Sequence, residues 1–551
     1  MTQNLTLTRR GALGAVGAGA LLPAAAVARP PAAVQFLHGV ASGDPTTRGA
    51  ILWTRVTPPA GHGAPVAVTW HVAQQGSDKP VETGRTEARA ARDYTVKVEP
   101  TKLEPGRDYT YWFEAAGVTS PRGRFRTLPE GSVAELNFAV VSCQLYGGGL
   151  FNAYDAIARL DRVDAILHLG DYIYEYGRDG YGKEIAQQLG REVEPPHEIV
   201  TLADYRTRHA LYKRDPDLQA AHARAAMIAV WDDHETANDS FREGAQNHQP
   251  ETEGDWAKRK AAAMQAYFEW MPIRDPQPGK PWEAINRSFR FGDLATLAMV
   301  ETRLLARSQQ AEFKGATPSP GAFGKVLAER NRDDRELLGE TQRAWLEDVL
   351  ATSVKAKTPW QVLGNQVVMA RVPGPDLQKM LGPVYAGAVA KLPPEIRGRV
   401  EAAQAGFRAG LPFNLDSWDG YPAARERLYA SFRRAGSQPL VLSGDSHAFW
   451  CNALADAGGT PVGSEFGTSS ISSPSVGDSA PQLPLGKLLE QAGEEVLFCD
   501  QRAKGYILLT LTPTQATADY RAMSTIMAKP YTVASVARYA VGAADRKLRK
   551  A

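Results

Sequence analysis

The chain has 551 residues and a mass of 59.7 kDa, enough for a large buried core and more than one structural unit. Hydrophobic residues make up 43% and charged residues 23%, the mix of a soluble globular protein, which excludes disorder as the main state and a multispan membrane protein. Lys+Arg number 63 against 61 Asp+Glu, so no global positive field exists to hold a nucleic-acid backbone, and three cysteines build neither a disulfide framework nor a four-thiolate zinc site.

In chain order, Arg9 and Arg10 precede an uncharged, Gly/Ala-rich stretch at residues 11–28 that ends on Ala26-Val27-Ala28, a small-x-small cleavage pattern. Twin arginines before a weakly apolar segment predict a twin-arginine export signal over residues 1–28. The expected destination is periplasmic or extracellular, with the twin-arginine translocase as a transient partner. Residues 34–129 alternate apolar and polar in short runs such as AILWTRVTP, VAVTWHVA and YTYWFEA. Such period-2 runs separated by Gly, Pro and Asp predict a small antiparallel β-sandwich. From residue 135 the pattern changes. Apolar strand candidates (LNFAVVS, DAILHLGD, AAMIAVWDDHE, LATLAMVETR, WQVLGNQ, PLVLSGDSH) alternate with helical segments (FNAYDAIARL, TQRAWLEDVLATS, YPAARERLYASFRRA), which predicts an α/β body over residues 135–530. Two late strand candidates, YILLTLTP and ATADYRAM, add antiparallel character. Long interruptions at 177–222, 242–255, 310–335 and 371–420 read as lids or site-forming loops. Residues 531–551 read as an amphipathic helix.

Chemistry-bearing residues concentrate where apolar strands end. FAVVSCQ ends at Cys143. ILHLGDYIYEY carries Asp171 and Tyr174. IAVWDDHETAND carries Asp232, Asp233, His234, Asn238 and Asp239. VLSGDSHAFW carries Asp445 and His447. Ligands of open α/β sheets gather at the carboxyl ends of strands. Taken singly, each motif is explained by a capped turn, a helix N-cap or a buried inert thiol. Together they would place several carboxylates in one pocket, which needs a counter-charge, and a bound metal is the natural one. A thiolate and a phenolate beside carboxylate and imidazole favour a transition metal, ferric iron first. A neighbouring site of Asp171, Asp233, Asn238 or Asp445 oxygens suits a hard cation such as calcium, magnesium or manganese.

Two such cations a few ångströms apart activate water and hold a phosphate oxygen during in-line displacement. His234 is the candidate general acid, with Asp232 or Glu235 as its orienting partner, and support of a metal carboxylate is the alternative role for His234. No rival apparatus is visible. GTSSIS at 467–472 lacks the spacing of a G-x-S-x-G elbow, and no Walker A, H-E-x-x-H or C-x-x-C is present. Cys451 and Cys499 read as structural.

At these residues the chain resembles the PhoD-type family of secreted alkaline phosphatases and phosphodiesterases, distant relatives of the calcineurin-like and purple acid phosphatases. The resemblance is carried by the twin-arginine segment, FLHGVASGDPTTRGAILWTRVTP (36–58), VSCQ (141–144), HLGDYIYEY (168–176), WDDHETAND (231–239), LGNQ (363–366) and LSGDSHAFW (442–450). It implies a four-layer metallophosphoesterase α/β sandwich preceded by the small β-sandwich, with Fe3+ and one or two Ca2+ (Mg2+, Mn2+ or Zn2+ as alternatives in the second site). By the same resemblance, Cys143, Asp171, Tyr174 and His447 match the iron side, with Asp171 bridging. Asp233, Asn238 and Asp445 match the second-ion side. Purple acid phosphatases carry G-x-H-x-H and G-N-H-D/E. Here these read GDSH and DDHE, so Asp445 and Asp233 replace neutral donors and shift the second site toward a hard cation.

The implied activity is hydrolysis of phosphodiesters and phosphomonoesters at alkaline pH, with small phosphoesters, phospholipids or teichoic-acid-like polymers as substrates and a monomer as the expected state. The resemblance also implies a C-terminal helix over the active-site entrance, bringing Arg538 and Tyr539 to the pocket. A phospholipase D-like hydrolase and a non-catalytic metal-containing surface binding protein are the competing readings.

Overall fold

The computed structural model describes residues 34–312 and 319–551, so the expected export signal lies outside the described residues. The N-terminal part forms eight strands: β1 (Val40–Gly43), β2 (Ile51–Arg55), β3 (Val66–Gln74), β4 (Pro80–Ala88), β5 (Thr95–Val98), β6 (Asp108–Ala115), β7 (Val118–Thr119) and β8 (Gly123–Arg126). The body continues with β9 (Leu136–Val141), β10 (Ala165–His168), β11 (Met227–Ala229), β12 (Arg287–Phe291), β13 (Ala295–Met299), β14 (Trp360–Gly364), β15 (Leu440–Ser443), β16 (Phe449–Ala455), β17 (Pro461–Gly467) and β18 (Val496–Asp500). The chain closes with β19 (Gly505–Leu511), β20 (Gln515–Met523), β21 (Val533–Gly542) and β22 (Leu548–Lys550).

The body is built on two sheets. A ten-stranded sheet runs β22-β21-β20-β19-β9-β10-β11-β1-β2-β5, and a seven-stranded sheet runs β12-β13-β14-β15-β17-β16-β18. Strands β9, β10 and β11 are mutually parallel, as are β13, β14 and β15. Parallel strands are covered on both faces, and accordingly all six residues of β9 are buried. Phe138, Val140 and Ile166 of the first sheet share one core with Leu297, Val362, Leu440 and Phe466 of the second. Phe138 and Phe291 meet edge to face across it at 5.0 Å. Helices cover the outer faces: Tyr205, Leu218 and Tyr267 join the core of the first sheet, while Leu346, Leu350, Leu428 and Phe432 pack on the second. Four layers result, as the resemblance implies.

The N-terminal strands extend this body. β3, β4, β6, β7 and β8 form a separate antiparallel sheet. Its inward side chains Val68, Val72, Tyr111 and Phe113 pack against Leu52 and Val96 of β2 and β5, the period-2 pattern of a half-buried sheet. The opposing layer is the edge of the ten-stranded sheet, because β1 joins β11 in parallel at Gly43↔Met227. The small sandwich thus shares one of its two sheets with the body.

The C-terminal expectation is corrected. Residues 533–542 and 548–550 are strands, with β21 paired to β20 from Met523↔Val533 to Gln515↔Gly542. The apolar positions Val533, Val536, Tyr539 and Val541 fit a helical or an extended period equally over so short a run, and the free edge of β20 decides between them. Tyr539 packs on Phe498 and Tyr520, and Arg538 pairs with Asp519. Neither residue contributes to the metal centre described below.

Candidate metal centre

The four strand ends converge. Two residues past β9 stands Cys143, three past β10 Asp171, three to five past β11 Asp232, Asp233 and His234, and shortly past β15 Asp445 and His447. Of the eleven described non-glycine residues with left-handed backbone, five lie here: Cys143, Asp171, Asp239, Asp445 and His447. Such conformations cost about 1–3 kcal/mol each and persist only where the surroundings enforce them. The enforcement is visible. Cys143 N donates to Gly170 O at 3.1 Å and Gln144 N to Asp171 O at 3.0 Å, lacing the first two loops together. A Cβ on Gly170, whose φ is +115°, would stand 2.3 Å from Asp232 Cβ, so only glycine lets the second and third loops touch. Gly444 N donates to Gln366 O at 2.7 Å, which gives the LGNQ segment its role as a brace for the GDSH loop.

Potential ligand atoms fall into three linked groups, each spanning no more than 4.8 Å: Cys143, Asp171 and His447; Asp171, Asp233 and His234; and Asp232, Asp233 and Asp445. Asp171 joins the first two groups and Asp233 the last two. Tyr174 completes the first group, its hydroxyl donating to Asp171 Oδ2 at 3.0 Å and lying 3.2 Å from His447 Nε2 and 2.7 Å from Ser473 Oγ. Asn238 is tied differently. Its backbone N–H donates to Glu175 Oε1 at 2.7 Å and its amide to Gln246 Oε1 at 3.1 Å. The buried oxygens Asp171 Oδ1 and Asp232 Oδ2 have no hydrogen-bond partner. Buried carboxylate oxygens without a donor are what a cation site requires, so the donor set fits bound metal.

The electrostatics agree. Burial, and then the Asp171 carboxylate, push the Cys143 thiol far above its ordinary range, and the same two causes raise the Tyr174 phenol. Both groups become anionic donors only when a strongly polarising cation sits beside them. Burial also raises Asp232 and Asp445 against the pull of Arg303. Asp233 goes the other way: burial opposes its charge, but Arg303 and His234 outweigh it and hold the carboxyl down at about 2. His234 shifts upward. Burial disfavours the imidazolium, and the carboxylates of Asp233, Glu175 and Asp171 override it.

Several participants were not legible in the sequence. The orienting partner of His234 is Glu175, which accepts from Nδ1 at 2.7 Å, and this corrects the expectation of Asp232 or Glu235. Glu175 is fully buried and also receives the Asn238 N–H and the Asn247 amide. Asp232 instead pairs with Arg303 Nε, and Glu235 accepts backbone N–H groups of Asp171, Tyr172 and Asp232, bracing the bridging loop. Arg303, fully buried, also reaches Asp416 at 2.9 Å, Asp445 at 3.2 Å and Asp233 at 3.4 Å. Asp416 comes from the 371–420 interruption, and the 177–222 interruption sends Tyr181, whose hydroxyl lies 3.3 Å from His447 Nδ1. That imidazole nitrogen is also 2.6 Å from Pro474 O, leaving Nε2 for the first group. Cys451 and Cys499 are buried in β16 and β18, away from these groups.

Comparison with known proteins follows the same lines. A family model described as PhoD-like phosphatase matches residues 138–520, and one described as PhoD-like phosphatase, N-terminal domain, matches residues 22–129. The chain belongs to the PhoD-like phosphatase family. It is 33% identical over 502 residues to alkaline phosphatase D of Bacillus subtilis (strain 168), a match covering 89% of this chain and 77% of that protein. A solved structure titled "Structure of PhoD" superposes with a TM-score of 0.75 at 31% identity, covering 94% of this chain and 92% of the other. Family membership and the three linked ligand groups make this chain a metal-dependent phosphoesterase.

Proposed function

We propose that the chain hydrolyses phosphodiesters and phosphomonoesters at alkaline pH outside the cytoplasm. The observation that carries this reading is the run of three ligand groups joined through Asp171 and Asp233, every one of them buried or nearly so at converging strand ends. Cys143, Asp171, Tyr174 and His447 would hold the more polarising ion, Fe3+ by the chemistry of a thiolate and a phenolate. Asp232, Asp233 and Asp445, all oxygen donors, would hold a hard divalent cation, Ca2+ first. Bound there, the cations would activate water and neutralise charge on a phosphoryl group.

The chain's own residues do the rest. Glu175 accepts from His234 Nδ1–H and so orients the ring, leaving Nε2–H as the proton donor for the leaving alkoxide. Arg303 offsets the acidic half, and Tyr181 with Pro474 orients His447. The Bacillus relative, named as an alkaline phosphatase, supports the same reaction class. Export follows from the twin arginines at positions 9 and 10. Among the described residues no helix is long and apolar enough to cross a membrane.

The test uses natively exported protein, analysed for iron, calcium and zinc and assayed on bis-p-nitrophenyl phosphate and p-nitrophenyl phosphate with and without added calcium. Iron, a visible phenolate-to-iron absorption and calcium-dependent turnover are expected. Full activity with zinc or manganese alone would retire the ferric assignment, and a metallated protein inert on every phosphoester would overturn the reading.

A further inference from the structure

The interruption at residues 242–255 contributes to none of the three ligand groups, yet one of its side chains reaches the metal centre. The Asn247 amide donates to Glu175 Oε1 at 2.8 Å, and the Asn238 N–H donates to the same oxygen at 2.7 Å. The other oxygen, Oε2, accepts from His234 Nδ1 at 2.7 Å. Glu175 is fully buried, so protein donors rather than water set the rotation of its carboxylate. Two donors on Oε1 fix the plane of that carboxylate, and with it the direction from which Oε2 meets the imidazole.

Asn247 is held in turn. Its N–H donates to Asn238 O at 3.2 Å, and its own carbonyl accepts from Arg259 Nη1 at 2.9 Å. Arg259 stands in the helix Trp256–Trp270, and its side chain is fully buried. The same guanidinium donates to Glu253 Oε2 at 2.8 Å, to Glu198 Oε1 at 2.8 Å and to the Tyr205 hydroxyl at 3.2 Å. Tyr205 donates onward to Thr236 O at 2.5 Å, and Ile199, next to Glu198, donates its N–H to Glu175 O at 3.0 Å. One planar fork of N–H donors thus ties together the stretches around Glu175: residues 198–199, Thr236 and Asn247. Lysine, a point charge on a flexible stem, could not make this junction.

We infer that Asn247, anchored by Arg259, is a positioning residue for the hydrolysis: it locks the Glu175 carboxylate so that the His234 ring is aimed at the leaving oxygen. The inference rests on the proposed role of His234 as proton donor. Neither Asn247 nor Arg259 belongs to a ligand group, and both act through Glu175. Displacing a reacting group by about 1 Å costs about 100-fold in rate, so a brace this far from the chemistry is enough to matter.

The test is a double-mutant cycle on the metal-loaded protein, with N247A, H234N and the double variant assayed on glycerol 2-phosphate, an alkyl ester, and on p-nitrophenyl phosphate, alongside iron content and Tm. N247A should lower kcat on the alkyl ester by about 10- to 100-fold, with KM little changed. It should cost far less on p-nitrophenyl phosphate, whose leaving group needs no proton, and it should keep its iron. Added to H234N, the same substitution should cost no more than about 2-fold, because both residues act in one step. If N247A does not fold, N247D, the same shape without the donor, carries the test. Equal losses on both esters, a full N247A loss on top of H234N, or loss of iron in both Asn247 variants would each overturn the inference. An H234N protein as active as the wild type on the alkyl ester would instead overturn the proton-donor reading, and this inference with it.

Discussion

The N-terminal sheet and the rim of strand ends in the body are made by opposite means. In β3, β4, β6 and β8 the backbone is extended, with one register shift between β3 and β4 at Val72/Ala73, and side chains alternate, so Val68, Val72, Tyr111 and Phe113 face inward while Glu82, Arg85, Glu87 and Glu114 stay in or near water. At the rim the chain leaves β9, β10 and β15 through left-handed residues, Cys143, Asp171 and Asp445, and buries Asp171, Asp232, Asp233, Glu175 and Glu235 at 3% exposure or less. Every local rule obeyed in the first region is broken in the second. The cost is carried by the large apolar core beneath, where a fully buried Leu or Phe contributes about 1.5–3 kcal/mol. Departures from local consistency of this kind mark where a fold does chemistry.

The contrast can be broken most sharply at Asp171. Asp171→Asn keeps the shape but removes a charge shared by two ligand groups. Metal content should fall in both, and activity should drop by more than the ~10- to 100-fold that replacing an outer partner of a ligand costs. Full metal occupancy in this variant would show that the groups are not joined through Asp171. Next in size is His234→Asn, for which a loss of about 100- to 10,000-fold is expected. As a proton donor, His234 should matter more for an alkyl leaving group than for p-nitrophenolate, which departs unaided. Equal losses on both substrates, with metal lost, would make it a ligand instead. Glu175→Gln should cost about 10- to 100-fold and leave iron in place, because the amide still accepts from Nδ1 but no longer holds the imidazolium.

On the other side of the comparison, Phe113→Ala should lower stability by about 3–5 kcal/mol in chemical denaturation. Below its melting range it should retain metal content and turnover. Should it lose metal as well, the parallel β1–β11 seam would be transmitting strain from the sandwich into the rim.

The same contrast explains what was legible in the sequence. The layers were readable because burial imposes period 2 on β3 and β6 and mostly apolar, fully buried runs on β9, β10 and β15. Cys143, Asp171, Asp233, Asp445 and His447 were readable because each follows such a run within a few residues. Arg303 also follows an apolar strand, β13, yet nothing local announced that it reaches Asp232 71 residues away and Asp445 142 residues away. Glu175 was hidden by its own motif: in HLGDYIYEY it looks like an ordinary polar residue after a turn, and only the tertiary approach of His234 gives it a partner. Contacts made across layers leave no periodic trace along the chain.

The C-terminal segment is the case where periodicity misled, and it yields the smallest expected effect. A helix over the entrance would have made Arg538 a pocket residue, whereas β21 places it at the sheet, half-exposed and 3.4 Å from Asp519. A surface ion pair of this kind is worth about 0–1 kcal/mol. Arg538→Ala should therefore leave kcat/KM on bis-p-nitrophenyl phosphate unchanged within error and shift stability barely at all. Removing the whole segment is a different experiment. Deleting residues 531–551 strips β21 from the edge of β20 and uncovers Tyr520 and Phe498, so it should destabilise the ten-stranded sheet. Loss of activity in that truncation would report on the fold, and only a change in substrate range with stability intact, or a clear kinetic defect in Arg538→Ala, would return this segment to the active site.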